Sequence, residues 1–183
     1  MQPSLQDPFP LPDSVWIPRW LRAPLERYLC LDRAAQDCQQ LLSERDLGQA
    51  LAPVLERHDI DPDTLRECAE NIPDRGPLLI TADHPTGILD GVVLMAALLQ
   101  RRRDVYVLAN RRLENIPHFA DHHIPVDKSA SASDSRKAYR RIRQAWGANC
   151  CIVHFPAGTV AHWQFRSRAV AEAPPENSVP RLA

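Results

Sequence analysis

From residue 76 onward, short apolar runs alternate with longer segments of helical periodicity, and no other feature constrains the fold as strongly. Residues 77–82 form one such run, 104–109 a second and 150–155 a third, the last ended by Pro156. Each has the length of a strand. Residues 91–102 read as an apolar helix between the first two runs. After the second, residues 111–115 suggest a short helix and residues 123–126 a brief strand. A linker over 129–135 then leads into a longer helix, capped by Ser133 or Ser135 and reaching Trp146. Strands alternating with substantial helices predict an α/β layer fold.

The first part of the chain is of a different kind. Residues 1–18 are rich in proline and read as a flexible, extended N-terminus. From Pro18 to about Ser43, Leu21, Leu25, Tyr28, Leu29, Ala35, Cys38 and Leu42 recur at spacings near three or four, the mark of a packed helix. Leu47, Leu51, Val54 and Leu55 indicate a shorter helix that Pro53 weakens. Asp61-Pro62-Asp63 supplies a cap and first turn for a helix through about Glu70. The expected organisation is therefore a flexible 1–18, a helical region over 19–75 and an α/β region over 76–183.

Composition sets outer limits. With 44% hydrophobic and 25% charged residues in 183 positions, the chain can bury a core of its own. A net charge of -1 gives no bulk attraction to nucleic acid, and the arginines lack a base-reading or aromatic-stacking scaffold. No stretch approaches ~18 uninterrupted apolar residues, so work on lipid would proceed from the membrane surface. Trp16, Ile17, Trp20 and Leu21 offer indoles and aliphatic side chains suited to the water–lipid boundary. Three basic clusters stand out: Arg101–Arg103, Arg111–Arg112, and Arg136, Lys137, Arg140, Arg141 and Arg143. Such residues solvate surfaces unless folding gathers them on one face, where they attract phosphate or anionic headgroups. Cys30, Cys38, Cys68, Cys150 and Cys151 make neither a disulfide framework nor a zinc pattern. Buried thiols in a cytoplasmic setting fit them better. Cys150 and Cys151, adjacent on a strand, point to opposite faces.

The chemistry concentrates in Leu79-Ile80-Thr81-Ala82-Asp83-His84-Pro85-Thr86-Gly87-Ile88-Leu89-Asp90-Gly91. A histidine follows a strand, and a carboxylate follows six positions later where a helix starts, with Gly87 and Gly91 permitting tight paths. His84 can serve as general base while Asp90 orients the ring and stabilises its positive charge. The nucleophile is then a substrate hydroxyl, or water in a hydrolase, and no metal is required. The plain alternative is a loop histidine beside a helix-capping aspartate.

This segment and two others together resemble the glycerolipid acyltransferase family, in its lysophospholipid and ornithine-lipid branch, once called hemolysin-like. His84-Pro85-Thr86-Gly87-Ile88-Leu89-Asp90-Gly91 is similar to the first family motif, in the form with five residues between histidine and aspartate. Asp104-Val105-Tyr106-Val107-Leu108-Ala109-Asn110-Arg111-Arg112-Leu113 is similar to the second, and Ile152-Val153-His154-Phe155-Pro156-Ala157-Gly158-Thr159 to the third. Asp83 stands where the family usually has asparagine, and Thr159 where an arginine is common.

The resemblance implies a partial acyltransferase-like sheet flanked by helices, behind an N-terminal helical segment, in a chain shortened at its C-terminus. It implies His84 and Asp90 as the catalytic pair. It implies Thr86, Gly87, Asn110, Arg111, Phe155, Pro156, Ala157 and Gly158 as the acceptor-binding residues. Neither a bound cofactor nor a metal is implied. The co-substrate is an acyl thioester on acyl carrier protein or coenzyme A, and the acceptor a lyso-lipid. The setting is peripheral, on the inner face of the cytoplasmic membrane. The alternatives are a lipid-binding pseudoenzyme or fragment of the same fold, and a thioester hydrolase.

Overall fold

In a computed structural model of the chain, the described residues are 46–115, 117–127, 130–164 and 168–171, with positions 18, 20–21, 24, 36–37, 39–41 and 174. The proline-rich 1–17, most of the expected helix to Ser43 and the segment beyond 174 lie outside them. Positions 20–21, 24, 36–37 and 39–41 are helical.

Four parallel strands make the central sheet: β1 (Leu78–Thr81), β2 (Val105–Ala109), β3 (His123–Pro125) and β4 (Cys151–His154), in the order β1-β4-β2-β3. The helices are α1 (Leu47–Arg57), α2 (Pro62–Glu70), α3 (Ile88–Leu99) and α4 (Ala132–Gly147). Two 3₁₀ turns, Arg111–Asn115 and Pro117–His122, join β2 to β3. A hairpin of β5 (His162–Gln164) and β6 (Ala169–Ala171) follows β4. The predicted α/β architecture is the observed one. The short hairpin has no counterpart in the sequence reading.

The period-two geometry of strands explains the two-sided core. Val105 and Val107 of β2, with Cys151 and Val153 of β4, pack against Leu47, Ala50, Leu51 and Val54 of α1 and Val92, Met95 and Leu98 of α3. Leu108 and Ile152 face the other way, onto Ala138, Ile142 and Ala145 of α4. Cys150 joins this second cluster and Cys151 the first, so the adjacent thiols part to opposite faces.

Element ends follow local rules, with three differences from expectation. Helix α1 continues through Pro53, because burial of Ala50, Leu51 and Val54 offsets the missing backbone hydrogen bond. Helix α4 is capped by Ser131 rather than Ser133 or Ser135: its side chain accepts from the Asp134 N–H at 3.1 Å. Thus the expected linker over 129–135 is already helical from Ala132. Helix α3 begins at Ile88, three residues before the expected start, which brings Asp90 inside its first turn. Asp61 caps α2 with Pro62 in its first turn, as read from the sequence.

Arg102 overturns the reading of Arg101–Arg103 as a solvated cluster. Its side chain is fully buried. It donates to both Asp104 carboxylate oxygens (2.9 and 2.7 Å) and to the carbonyls of Pro73 (3.2 Å), Gly76 (2.8 Å) and Asn149 (2.9 Å). One guanidinium thereby ties together the loops that launch β1, β2 and β4. The bidentate bond from Arg102 holds the Asp104 carboxyl below its ordinary range. At the other end of the parallel strands, the loops are left to build a site.

Candidate active site

Parallel strands release their chains at a common edge, where α/β folds place ligands. The loop after β1 carries His84 there, the loop after β4 carries Phe155–Gly158, and the loop after β2 carries Asn110 and Arg111.

His84 Nδ1 lies 3.0 Å from Asp90 Oδ2. The same oxygen accepts from the backbone N–H groups of Thr86 and Gly87, each at 2.9 Å. The Thr86 hydroxyl donates to Oδ1 at 2.5 Å. Four donors therefore converge on one carboxylate. Asp90 also closes the first turn of α3, since Gly87 is the N-cap residue whose N–H it accepts. Its helix-capping and histidine-orienting roles coexist in a single side chain.

Gly87 is needed at this turn. Its φ of +78° is a conformation that side-chain-bearing residues rarely adopt, and a Cβ there would meet Val160 Cγ2 at 3.4 Å. The Ala161 N–H donates to the His84 carbonyl at 2.9 Å, binding the segment after β4 to the histidine loop.

Phe155 lies against the histidine. Its ring stacks on the imidazole with centroids 4.3 Å apart and planes inclined by 29°. The His84 and Asp90 side chains retain 22% and 16% exposure, so the pair is sheltered yet open at one side. With a carboxylate at Nδ1, that nitrogen keeps its proton and Nε2 becomes the basic one. This arrangement can take a proton from a hydroxyl and stabilise the resulting imidazolium.

The other predicted residues have different surroundings. Thr86 and Gly87 bond Asp90 directly. Pro156 and Ala157 follow Phe155, with Ala157 buried; the Gly158 N–H donates to the Phe155 carbonyl at 3.0 Å and closes that turn. Asn110 follows β2, and its carbonyl accepts from the Leu113 N–H at 3.1 Å. Arg111 is half exposed and faces Asp134 of α4, with 3.5 Å between Nη2 and Oδ1. It borders a cavity of about 180 Å³ shared with Pro125, Val126, Ser135, Ala138 and Ile142. Because β4 lies between β1 and β2, Arg111 leaves a strand about 10 Å from the one carrying His84.

Phe155, expected among the acceptor-binding residues, stacks on the histidine, a contact that sequence reasoning did not anticipate. It missed the Thr86 hydroxyl as a ligand of Asp90. Threonine four positions before an aspartate at a helix start was the available signal. His123, at the start of β3, is a buried core histidine: Nε2 lies 3.1 Å from the Ala109 carbonyl, and burial lowers its pKa. Among the described residues, no group of three or more His, Cys, Asp or Glu side chains is gathered to hold a metal ion.

The fold is a parallel α/β sheet that presents a carboxylate-oriented histidine at its C-terminal edge, a geometry compatible with proton transfer. The family model named Acyltransferase matches residues 66–171, which include the site, and the chain belongs to that family. It is 31% identical over 96 residues to a lyso-glycine lipid O-acyltransferase of Phocaeicola vulgatus. That match takes in 52% of this chain and spans 34% of the relative's length. No solved structure matches the chain.

Proposed function

We propose that the chain transfers a fatty acyl group from an acyl thioester to the hydroxyl of a lyso-lipid. The observation that carries this reading is the His84–Asp90 pair, set within a domain of the acyltransferase family. His84 Nε2 takes the acceptor's hydroxyl proton as its oxygen bonds to the thioester carbonyl carbon. Asp90 stabilises the imidazolium through Nδ1–H. Collapse of the tetrahedral intermediate breaks the carbon–sulfur bond, and the Nε2 proton passes to the departing sulfur. The substrate supplies the nucleophile, so two protein side chains suffice for proton transfer.

The thioester is carried by acyl carrier protein or coenzyme A. The acceptor is a lyso-lipid with an anionic or zwitterionic headgroup: a lysophospholipid, a lyso-ornithine lipid or another aminoacyl lyso-lipid, the last in keeping with the name of the Phocaeicola protein. Arg111 is the headgroup-binding candidate, with Asn110 beside it. Its ion pair with Asp134 is long and half exposed, so a phosphate or carboxylate replaces it at little cost. Phe155 and the turn through Pro156, Ala157 and Gly158 wall the acceptor side of His84. No described helix is long and apolar enough to cross a membrane. The proposed place of action is peripheral, on the inner face of the cytoplasmic membrane.

The test offers purified protein an acyl thioester and a panel of lyso-lipids, with acylated product measured by mass spectrometry. His84→Ala should abolish product while leaving the circular dichroism spectrum and denaturation midpoint near wild type. Equal rates in the two proteins would sink the mechanism. Thioester loss without acylated lipid identifies a hydrolase instead.

A further inference from the structure

Helix α4 has two unlike faces. Ala138, Ile142 and Ala145 are buried against the sheet. At ~100° per residue, Arg136, Tyr139, Arg140 and Arg143 fall within a stripe on the opposite side, and all four are exposed. They outline a shallow groove together with Ser135 and Gln144. Lys137 and Arg141, also exposed, flank the stripe. The helix carries one acidic residue, Asp134, which is engaged by Ser131, Arg111 and Lys137 near the buried face. Among the described residues, no carboxylate pairs with Arg136, Arg140, Arg141 or Arg143. A chain of net charge -1 thus gathers on one ridge positive charge that no carboxylate among the described residues pairs with.

We propose that the ridge of Arg136, Tyr139, Arg140 and Arg143 is the surface on which the protein docks onto an anionic lipid bilayer. Charge complementarity is the first argument: arginines near an anionic leaflet are attracted additively and without need of a shaped pocket. Tyr139, 52% exposed among the cations, has the ring and hydroxyl that suit the headgroup boundary. Position is the second. Helix α4 begins after β3, at the sheet edge that carries His84, and its first turn borders the cavity beside Arg111. Docking by this ridge sets that edge near the lipid. The choice of a bilayer over an acidic protein rests on the lipid-acceptor reading above; the ridge itself does not.

The experiment is co-sedimentation of the full chain with phosphatidylcholine vesicles, with and without about one-third phosphatidylglycerol, at low and moderate salt. The wild type should prefer anionic vesicles by more than tenfold, and lose that preference as salt rises. Each ridge arginine near the surface is worth about fivefold in partitioning, so R136Q/R140Q/R143Q should bind about a hundredfold more weakly. R66Q/R75Q/R103Q removes equal charge from exposed positions elsewhere and should bind within a few-fold of wild type. Equal losses in the two variants, or no preference for anionic vesicles, overturn the proposal. So does ridge-dependent binding to polyglutamate without binding to vesicles, which assigns the ridge to an acidic protein. Acylation of lyso-lipid in neutral detergent micelles is followed in parallel. Turnover without vesicle binding overturns the docking surface alone, whereas ridge-dependent binding without turnover supports it and counts against the catalytic reading.

Discussion

Replacing Asp90 with asparagine removes a charge and almost nothing else. The amide oxygen is held on the Oδ2 side, because three donors converge there: His84 Nδ1 and the N–H groups of Thr86 and Gly87. The new NH₂ group then faces the Thr86 hydroxyl, which turns from donating to accepting. The α3 cap survives, the histidine tautomer is kept, and stability should fall by no more than about 1 kcal/mol. What disappears is the attraction between carboxylate and imidazolium. At ~4 Å between charge centres and an effective dielectric near 20, that attraction is about 4 kcal/mol, or close to three decades in rate. Solvent reaching the partly exposed pair reduces it, so kcat/KM should drop by about 10²- to 10³-fold. The assay is the initial rate of lyso-lipid acylation by mass spectrometry, with urea denaturation of the same preparation. Asp90→Ala is the companion: it strands two backbone N–H groups and should cost about 1–3 kcal/mol of stability as well as activity. A folded Asp90→Asn protein with kcat/KM within threefold of wild type would refute the reasoning. Asp90 would then be only a helix cap, and His84 would not gain charge in the transition state.

Three further outcomes follow from groups away from the histidine. Arg102→Met leaves the carbonyls of Pro73, Gly76 and Asn149 short of a donor, while the more exposed Asp104 resolvates; urea denaturation should show a loss of about 3–4 kcal/mol, and a loss under 1 kcal/mol would contradict the clamp. Burial holds His123 below its ordinary pKa, so its stabilising contribution is complete above pH ~6.5 and is lost as pH falls through the folded-state value. Stability measured from pH 7.5 to 5 should decline by at most about 1.4 kcal/mol per unit on this account, and His123→Gln should flatten the decline; parallel profiles in both proteins would remove His123 as the cause. Desolvation pushes the buried Cys151 thiol up to about 11, whereas Cys68 is exposed. Iodoacetamide at pH 8 followed by peptide mapping should label Cys68 and spare Cys151 until denaturant is added, and comparable labelling rates would contradict the burial of β4.

The parts of the site that were legible in the sequence are those made by local geometry. His84 and Asp90 meet because one turn and the first helical residues separate them, and Asp61-Pro62 announces α2 for the same short-range reason. The strands were legible as strands because burial on both faces leaves an uninterrupted apolar run; that they pair in parallel is a finding of the structure. Ser131 was missed as a cap because neighbouring serines satisfy the same rule, and only the backbone path selects among them. Arg102 was misread because its burial depends on three loops meeting, which no local pattern records.

Strand order is the long-range fact on which the rest depends. The chain makes β4 last of the four, yet inserts it between β1 and β2. This places Phe155 against the imidazole and sets Arg111 on the far side of β4, next to α4. The sequence order of the three motifs therefore differs from their order in space. The third motif is the neighbour of the first, and the second stands apart beside the basic helix. On the proposed reading, the reacting hydroxyl lies at His84, at one strand end, and the charged headgroup at Arg111, which leaves the sheet two strands away.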